Sequence, residues 1–191
     1  MIPGIAAPLT AIQLLWLNLV TDSFPALALG REKGEPGIMK LPPRPKGEPI
    51  INKSMLVQIF VQAIAIFVCV AAAFLIPLTR NNGFFFSSDI EALTGARTVA
   101  FATLILAELL RAFASRSERL SVFKLGLFTN KLMNTAVGLS LVMLLAVIYI
   151  PGVNGIFDNV ALNPAAWLVI VPLALIPFAT SEIFKLFKKI L

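Results

Sequence analysis

Residues Ser54–Pro77 read SMLVQIFVQAIAIFVCVAAAFLIP. No charged side chain interrupts the stretch. A helix needs about 20 predominantly apolar residues to cross the hydrocarbon core of a bilayer, and this run exceeds that length. Four further stretches read the same way: Leu9–Leu29, Thr98–Phe113, Leu132–Ile150 and Ala165–Phe184. Leu132–Ile150 is as clean as the first, Thr98–Phe113 is short and carries Glu108 and Arg111 near its end, and Leu9–Leu29 is irregular, holding Gln13, Asn18, Thr21, Asp22 and Pro25. The predicted fold is therefore all-α, a polytopic bundle of five transmembrane helices forming a single membrane domain over residues 1–191.

Composition agrees. The chain has 191 residues, 58% hydrophobic and 14% charged, with a mean hydropathy of +0.89. Soluble domains run at about 45–50% apolar and about 25% charged. This composition excludes a water-soluble globule, a disordered chain and a fibre. Cys69 is the only cysteine and there is no histidine. Intrachain disulfides, cysteine metal clusters, imidazole metal sites and histidine-based catalysis are thereby excluded.

The net charge of +6 is unevenly distributed. Residues 30–53 hold Arg31, Lys33, Lys40, Arg44, Lys46 and Lys53, and residues 111–131 hold Arg111, Arg116, Arg119, Lys124 and Lys131. The tail holds Lys185, Lys188 and Lys189; the other two connections hold Arg80 and Arg97 with Asp89, Glu91 and Asp158. Basic residues concentrate on cytoplasmic loops. This asymmetry predicts a multi-pass protein of the cell membrane, its C-terminus cytoplasmic and its N-terminus on the outer side, with bilayer lipid as its surroundings and no nucleic acid as partner. Met1–Pro8 has no basic region leading into an apolar one, as a secretory signal would. The expectation is the C-terminal part of a longer polytopic protein; the alternative is a complete five-span protein inserted with its N-terminus outside.

Asn18, Thr21 and Asp22 stand at i, i+3 and i+4, within an arc of about 100° on a helix. A carboxylate at mid-membrane is unfavourable by about 2.5–3.5 kcal/mol on insertion scales, so its presence points to function. Pro25 lacks the N–H that would bond the carbonyl of Thr21. Carboxylate, amide, hydroxyl and freed carbonyl make an all-oxygen cluster suited to hard cations such as calcium or magnesium, and non-helical backbone is tolerated at membrane depth where it lines such a site. The same side chains could instead hydrogen-bond neighbouring helices and hold the bundle together. Spacing alone leaves both readings open.

The stretch Pro8-Leu-Thr-Ala-Ile-Gln-Leu-Leu-Trp-Leu-Asn-Leu-Val-Thr-Asp-Ser-Phe-Pro-Ala-Leu-Ala-Leu-Gly30 closely resembles the sixth transmembrane helix of P-type cation-transporting ATPases, those of the sarcoplasmic-reticulum calcium-pump type above all. Ile38–Ile51 looks like that family's loop between its sixth and seventh helices, and Ser181-Glu182-Ile183-Phe184-Lys185 is similar to the end of its tenth. The resemblance covers the whole chain in order and is most specific in its first 50 residues. It implies that the first span is discontinuous around its ion ligands, and that Asn18, Thr21 and Asp22 ligate the transported ion, with calcium as that ion. It also implies a carboxylate from the third span, Glu108, whose alternative role is an i,i+3 pair with Arg111. Arg111 departs from the two-site calcium pumps, where a neutral polar residue usually stands. A guanidinium there would repel a second cation and neutralise Glu108.

By the same resemblance, the Pro-rich basic segment 30–53 docks on a cytoplasmic phosphorylation domain; read on its own it would be a loop anchored at lipid headgroups. Phe84–Phe86 read as interfacial packing. Trp16 and Trp167 fit either an interfacial belt or the bundle, and Glu182 is expected to pair with Lys185 or with a neighbouring helix. The sequence holds neither the family's Asp-Lys-Thr-Gly-Thr phosphorylation motif nor its Thr-Gly-Glu motif, and no GxxxxGK loop. The chain alone is thus expected to be inactive as an ATPase. ATP and Mg2+ would act only through missing cytoplasmic domains, and the remaining pump helices and those domains would be its partners. The competing function is a stand-alone membrane assembly or regulatory protein derived from such a pump.

Overall fold

The computed structural model describes residues 7–34, 38–40, 42–43, 45, 47, 49, 51–79, 89–117 and 120–188. Helix α1 (Ala11–Leu17) opens on a reciprocal cap. The Gln13 N–H donates to the Thr10 hydroxyl at 3.4 Å, and the Thr10 N–H donates to Gln13 Oε1 at 2.9 Å. A π-helical turn, Asn18–Asp22, follows, and α2 (Ser23–Leu29) continues the span. The break explains how Pro25 is accommodated: it falls in the first turn of a restarted helix, where a missing N–H is least costly. The first span is thus discontinuous at Asn18, Thr21 and Asp22, as expected.

The chain continues through a 3-10 turn (Ile38–Lys40) to α3 (Lys53–Thr79), α4 (Asp89–Ala114), the short α5 (Val122–Leu125), α6 (Lys131–Tyr149), the short α7 (Val153–Ile156) and α8 (Pro164–Lys188). Among the described residues five helices are long and apolar enough to cross a membrane, counting α1 and α2 as one. Asparagines set several starts: Asn52, Asn130 and Asn163 accept through their side chains from the N–H groups of Met55 (2.9 Å), Met133 (2.9 Å) and Ala166 (3.0 Å). Helix α4 begins at Asp89, well before the apolar stretch that starts at Thr98. Its first turns carry Asp89, Glu91, Thr94 and Arg97, which hydropathy does not see but which continue the same helix.

Helix α4 is the centre of the bundle. Within its membrane window 61% of residues are buried, against 17% in α3. It packs on α3, α6, α8 and the π-helical turn. Ala92, Ala96, Ala100, Ala102 and Ala107 are all buried, and such small residues allow close helix approach. Trp16 belongs to this core, with ring centroids 6.0 Å from Phe101 and 5.8 Å from Phe157. The Trp167 indole N–H donates to the Tyr149 hydroxyl at 2.7 Å, and that hydroxyl donates to the Leu162 carbonyl at 3.0 Å.

Polar locks close both ends of the bundle. At one end the wholly buried Gln13 donates to Asn159 Oδ1 at 2.8 Å. At the other, Lys185 Nζ donates to Glu182 at 2.7 Å and to the Ala114 carbonyl at 2.6 Å, while the Val122 N–H donates to Glu182 at 3.1 Å. Glu182 therefore both pairs with Lys185 and bonds a neighbouring element. Phe84–Phe86 and Arg80 lie outside the described residues, as do Leu41, Arg44, Lys46, Glu48 and Ile50 of the Pro-rich segment.

Candidate functional site

The π-helical turn changes what its residues face. Thr21 is buried, and its hydroxyl donates to the Leu17 carbonyl at 2.8 Å. Its hydrogen is thereby spent inward, and the oxygen's lone pairs stay available as a hard-cation ligand. Asp22 is exposed on the surface of this chain. Both residues line a cavity of about 270 Å³ bounded on the opposite wall by Glu108 and Arg111 of α4. Residues separated by the length of two spans thus meet at one opening beside the broken helix.

Glu108 occupies that wall already paired. Arg111 Nε donates to its Oε2 at 2.8 Å and Nη2 lies 2.5 Å from the same oxygen. The i,i+3 pair expected as the alternative role of Glu108 is formed, and it sits in the same cavity as Asp22. A second, mostly apolar cavity of about 460 Å³, between α3 and α4, reaches the other side of the Glu108–Arg111 pair. Asn18 does not line the cavity that holds Thr21 and Asp22; it is exposed elsewhere on the turn. Of the four oxygen-bearing residues singled out from sequence, three come together and Asn18 stands apart. Among the described residues no group of three or more acidic, histidine or cysteine side chains forms a ready metal site.

Two polar contacts around the site escape sequence reasoning. Ser140 of α6, wholly buried, donates to the carbonyl of Val20 inside the π-helical turn at 3.3 Å. Just beyond α2, Glu32 takes a forked bond from Arg116, with Nε to Oε2 and Nη2 to Oε1 each 2.9 Å. Arg116 also donates to the Gly126 carbonyl at 2.9 Å and the Thr129 hydroxyl at 2.7 Å, and Asn130 donates to Glu32 at 2.6 Å. Gly126 is suited to this corner: its φ of +82° disfavours a side chain, and a Cβ there would stand 2.9 Å from Thr129. The Arg116 guanidinium holds the Glu32 carboxyl below its ordinary range; partial burial opposes this, and Asn130 adds to it. The end of the broken span is thereby tied to the connection between α4 and α6. The only advance signal for either contact is residue type: a serine in an apolar helix and charges next to spans.

The family model described as "Cation transporting ATPase, C-terminus" matches residues 6–187. Among similar proteins, the "Calcium-transporting ATPase" of Bacillus subtilis (strain 168) is 38% identical over 177 residues, which cover 93% of this chain and 19% of that protein. The "Calcium-transporting ATPase 1" of Bacillus cereus is 35% identical, over 97% of this chain and 22% of that protein. The "Calcium-transporting ATPase type 2C member 2" of Mus musculus is 29% identical, over 98% and 19%. The chain thus spans about a fifth of the length of these relatives.

Proposed function

Since this chain belongs to the family of cation-transporting ATPase C-termini, we propose that it forms the last five membrane helices of an ATP-driven calcium pump and supplies part of the transported ion's binding site. The observation that carries this reading is the cavity at the break in the first span, where Thr21 and Asp22 face Glu108. Asp22 provides the full negative charge, Thr21 provides hydroxyl and carbonyl oxygens, and Asn18, exposed on the same turn, assists where pump helices outside this chain would pack. The other ligands come from those helices. ATP and Mg2+ act in cytoplasmic domains that carry the phosphorylated aspartate, so this segment by itself hydrolyses nothing. Calcium is the ion named for the relatives, and an all-oxygen site is the chemistry it takes. Replacing Asp22 with asparagine in the complete pump is the test: calcium-dependent phosphorylation disappears if Asp22 is a ligand and persists if it is not.

The pump carries one divalent ion per cycle. Glu108 is the carboxylate that a second ion would need, and it is engaged by Arg111 through two contacts to one oxygen. A fixed guanidinium occupies, in effect, the position of the second cation. Equilibrium binding of radioactive calcium, scaled to the amount of phosphoenzyme, should give about one ion per pump; a value of two would overturn the role given to Arg111 and leave Asp22 untouched.

The membrane orientation follows from the basic segments. Residues 31–53, 115–131 and the tail lie in the cytoplasm, where the Pro-rich segment meets the phosphorylation domain, and the start of this segment faces outward. A Lys46→Cys variant should resist membrane-impermeant thiol reagents applied to intact cells and react after permeabilisation. Labelling from outside would invert the topology.

A further inference from the structure

We infer that Ser140 is a positioning residue of the ion site: by bonding the Val20 carbonyl, it holds the π-helical turn in the form that presents Thr21 and Asp22 to the cavity, and leaves the Thr21 carbonyl as the backbone oxygen for the cation. This inference rests on the ion-ligand reading given above.

Pro25 creates the need. In α-helical pairing the N–H of residue 25 would serve the carbonyl of Thr21; in π-helical pairing it would serve that of Val20. Proline serves neither, so the backbone donors left to these two carbonyls are the N–H of Phe24 for Val20 in α-helical pairing and that of Ala26 for Thr21 in π-helical pairing. A carbonyl inside an apolar bundle must find a donor, and the fully buried Val20 is out of reach of bulk water. The Ser140 hydroxyl, itself fully buried, meets that carbonyl at 3.3 Å. The Thr21 hydroxyl pins the other side of the same turn through Leu17 at 2.8 Å. One serine on a helix distant in sequence therefore gives the Val20 carbonyl a side-chain donor inside the turn, while the proline leaves the Thr21 carbonyl without its α-helical one. If the extra residue of the wide turn were absorbed into regular helix, everything beyond it would rotate by about 100° against the residues before it. Thr21 and Asp22 would then no longer share their present orientation toward Glu108.

The test uses the complete pump, with calcium as the probe and calcium-dependent phosphoenzyme as the readout. Ser140→Ala removes the hydroxyl at nearly constant volume. It should raise the calcium concentration giving half-maximal phosphorylation about tenfold, the order of one unmet buried hydrogen bond, while the maximal phosphoenzyme level stays near wild type. Ser140→Thr, which keeps the hydroxyl, should return the midpoint toward wild type. A purely structural defect would lower the maximum and leave the midpoint; that result, or an unchanged midpoint, overturns the assignment. Asp22→Asn run in parallel separates the two ideas. An unaffected Ser140→Ala beside an inactive Asp22→Asn sinks the positioning role alone, whereas a fully calcium-responsive Asp22→Asn sinks both.

Discussion

Asp22→Asn in the complete pump is expected to abolish calcium transport and calcium-dependent phosphorylation at any practical calcium concentration. The substitution keeps the shape of the side chain and deletes its charge. Two unit charges about 4 Å apart interact by about 4 kcal/mol at an effective dielectric constant of about 20, and a dication doubles the attraction, part of which the amide dipole recovers. A net loss near 4 kcal/mol corresponds to roughly a thousandfold in affinity. The variant should still insert and fold, because an asparagine is easier to accommodate in a bilayer than an aspartate. Thr21→Ala removes a neutral ligand and an internal bond to Leu17, and Asn18→Ala removes an amide that does not line the cavity. Both should weaken calcium binding far less than Asp22→Asn, with Asn18→Ala the milder. Wild-type calcium dependence in Asp22→Asn would remove Asp22 from the site.

Glu32→Ala should destabilise the membrane domain by about 3 kcal/mol, the lower end of what removing one partner of a buried ion pair costs. Arg116 is the reason: its side chain is 1% exposed, and Glu32 is its only carboxylate partner among the described ion pairs. The alanine variant leaves the guanidinium buried with two carbonyls and a hydroxyl but no countercharge. Arg116→Lys should not substitute, since an ammonium cannot reproduce the forked contact to both carboxylate oxygens. Thermal denaturation in detergent, followed by loss of monodisperse protein, measures both. The pH dependence has a definite sign. The Glu32 carboxyl is held below its ordinary range in the folded protein, chiefly by its bond to Arg116. Its stabilisation is therefore complete above the unfolded carboxylate pKa of about 4.3 and is lost as pH falls through the lower, folded value. Wild type should lose thermal stability in that acidic window more steeply than Glu32→Ala. Parallel curves would remove the stabilising role of the pair.

What could be read before the fold was known is local. Ser54–Pro77 declares a membrane helix by itself, because crossing a bilayer depends on length and polarity and on nothing else in the chain. The irregularity of the first span is legible for the same reason, because Pro25 removes a donor wherever the helix is placed; spacing put Asn18, Thr21 and Asp22 on one arc of a regular helix, and the widened turn leaves Asn18 outside the cavity of the other two. Hydropathy is blind to the opening turns of α4, where charged and polar residues extend a helix beyond its apolar part.

The sequence by itself determined five helical spans and the oxygen-bearing residues that make the first of them irregular, since these follow from composition and spacing along a few turns; that this span is broken is what its resemblance to the sixth helix of the pump family implied. Only the tertiary structure decided which oxygens meet. It put Thr21 and Asp22 in one cavity with Glu108 and left Asn18 out of it, because which residues share a cavity depends on how the widened turn packs against α4. It joined Ser140 to Val20 across 120 residues and Arg116 to Glu32 across 84. A lone serine in an apolar helix, or a charge beside a span, looks the same in sequence whether it is idle or paired; its partner is chosen by helix packing, which sums weak contacts over the whole bundle and leaves no mark in any single stretch.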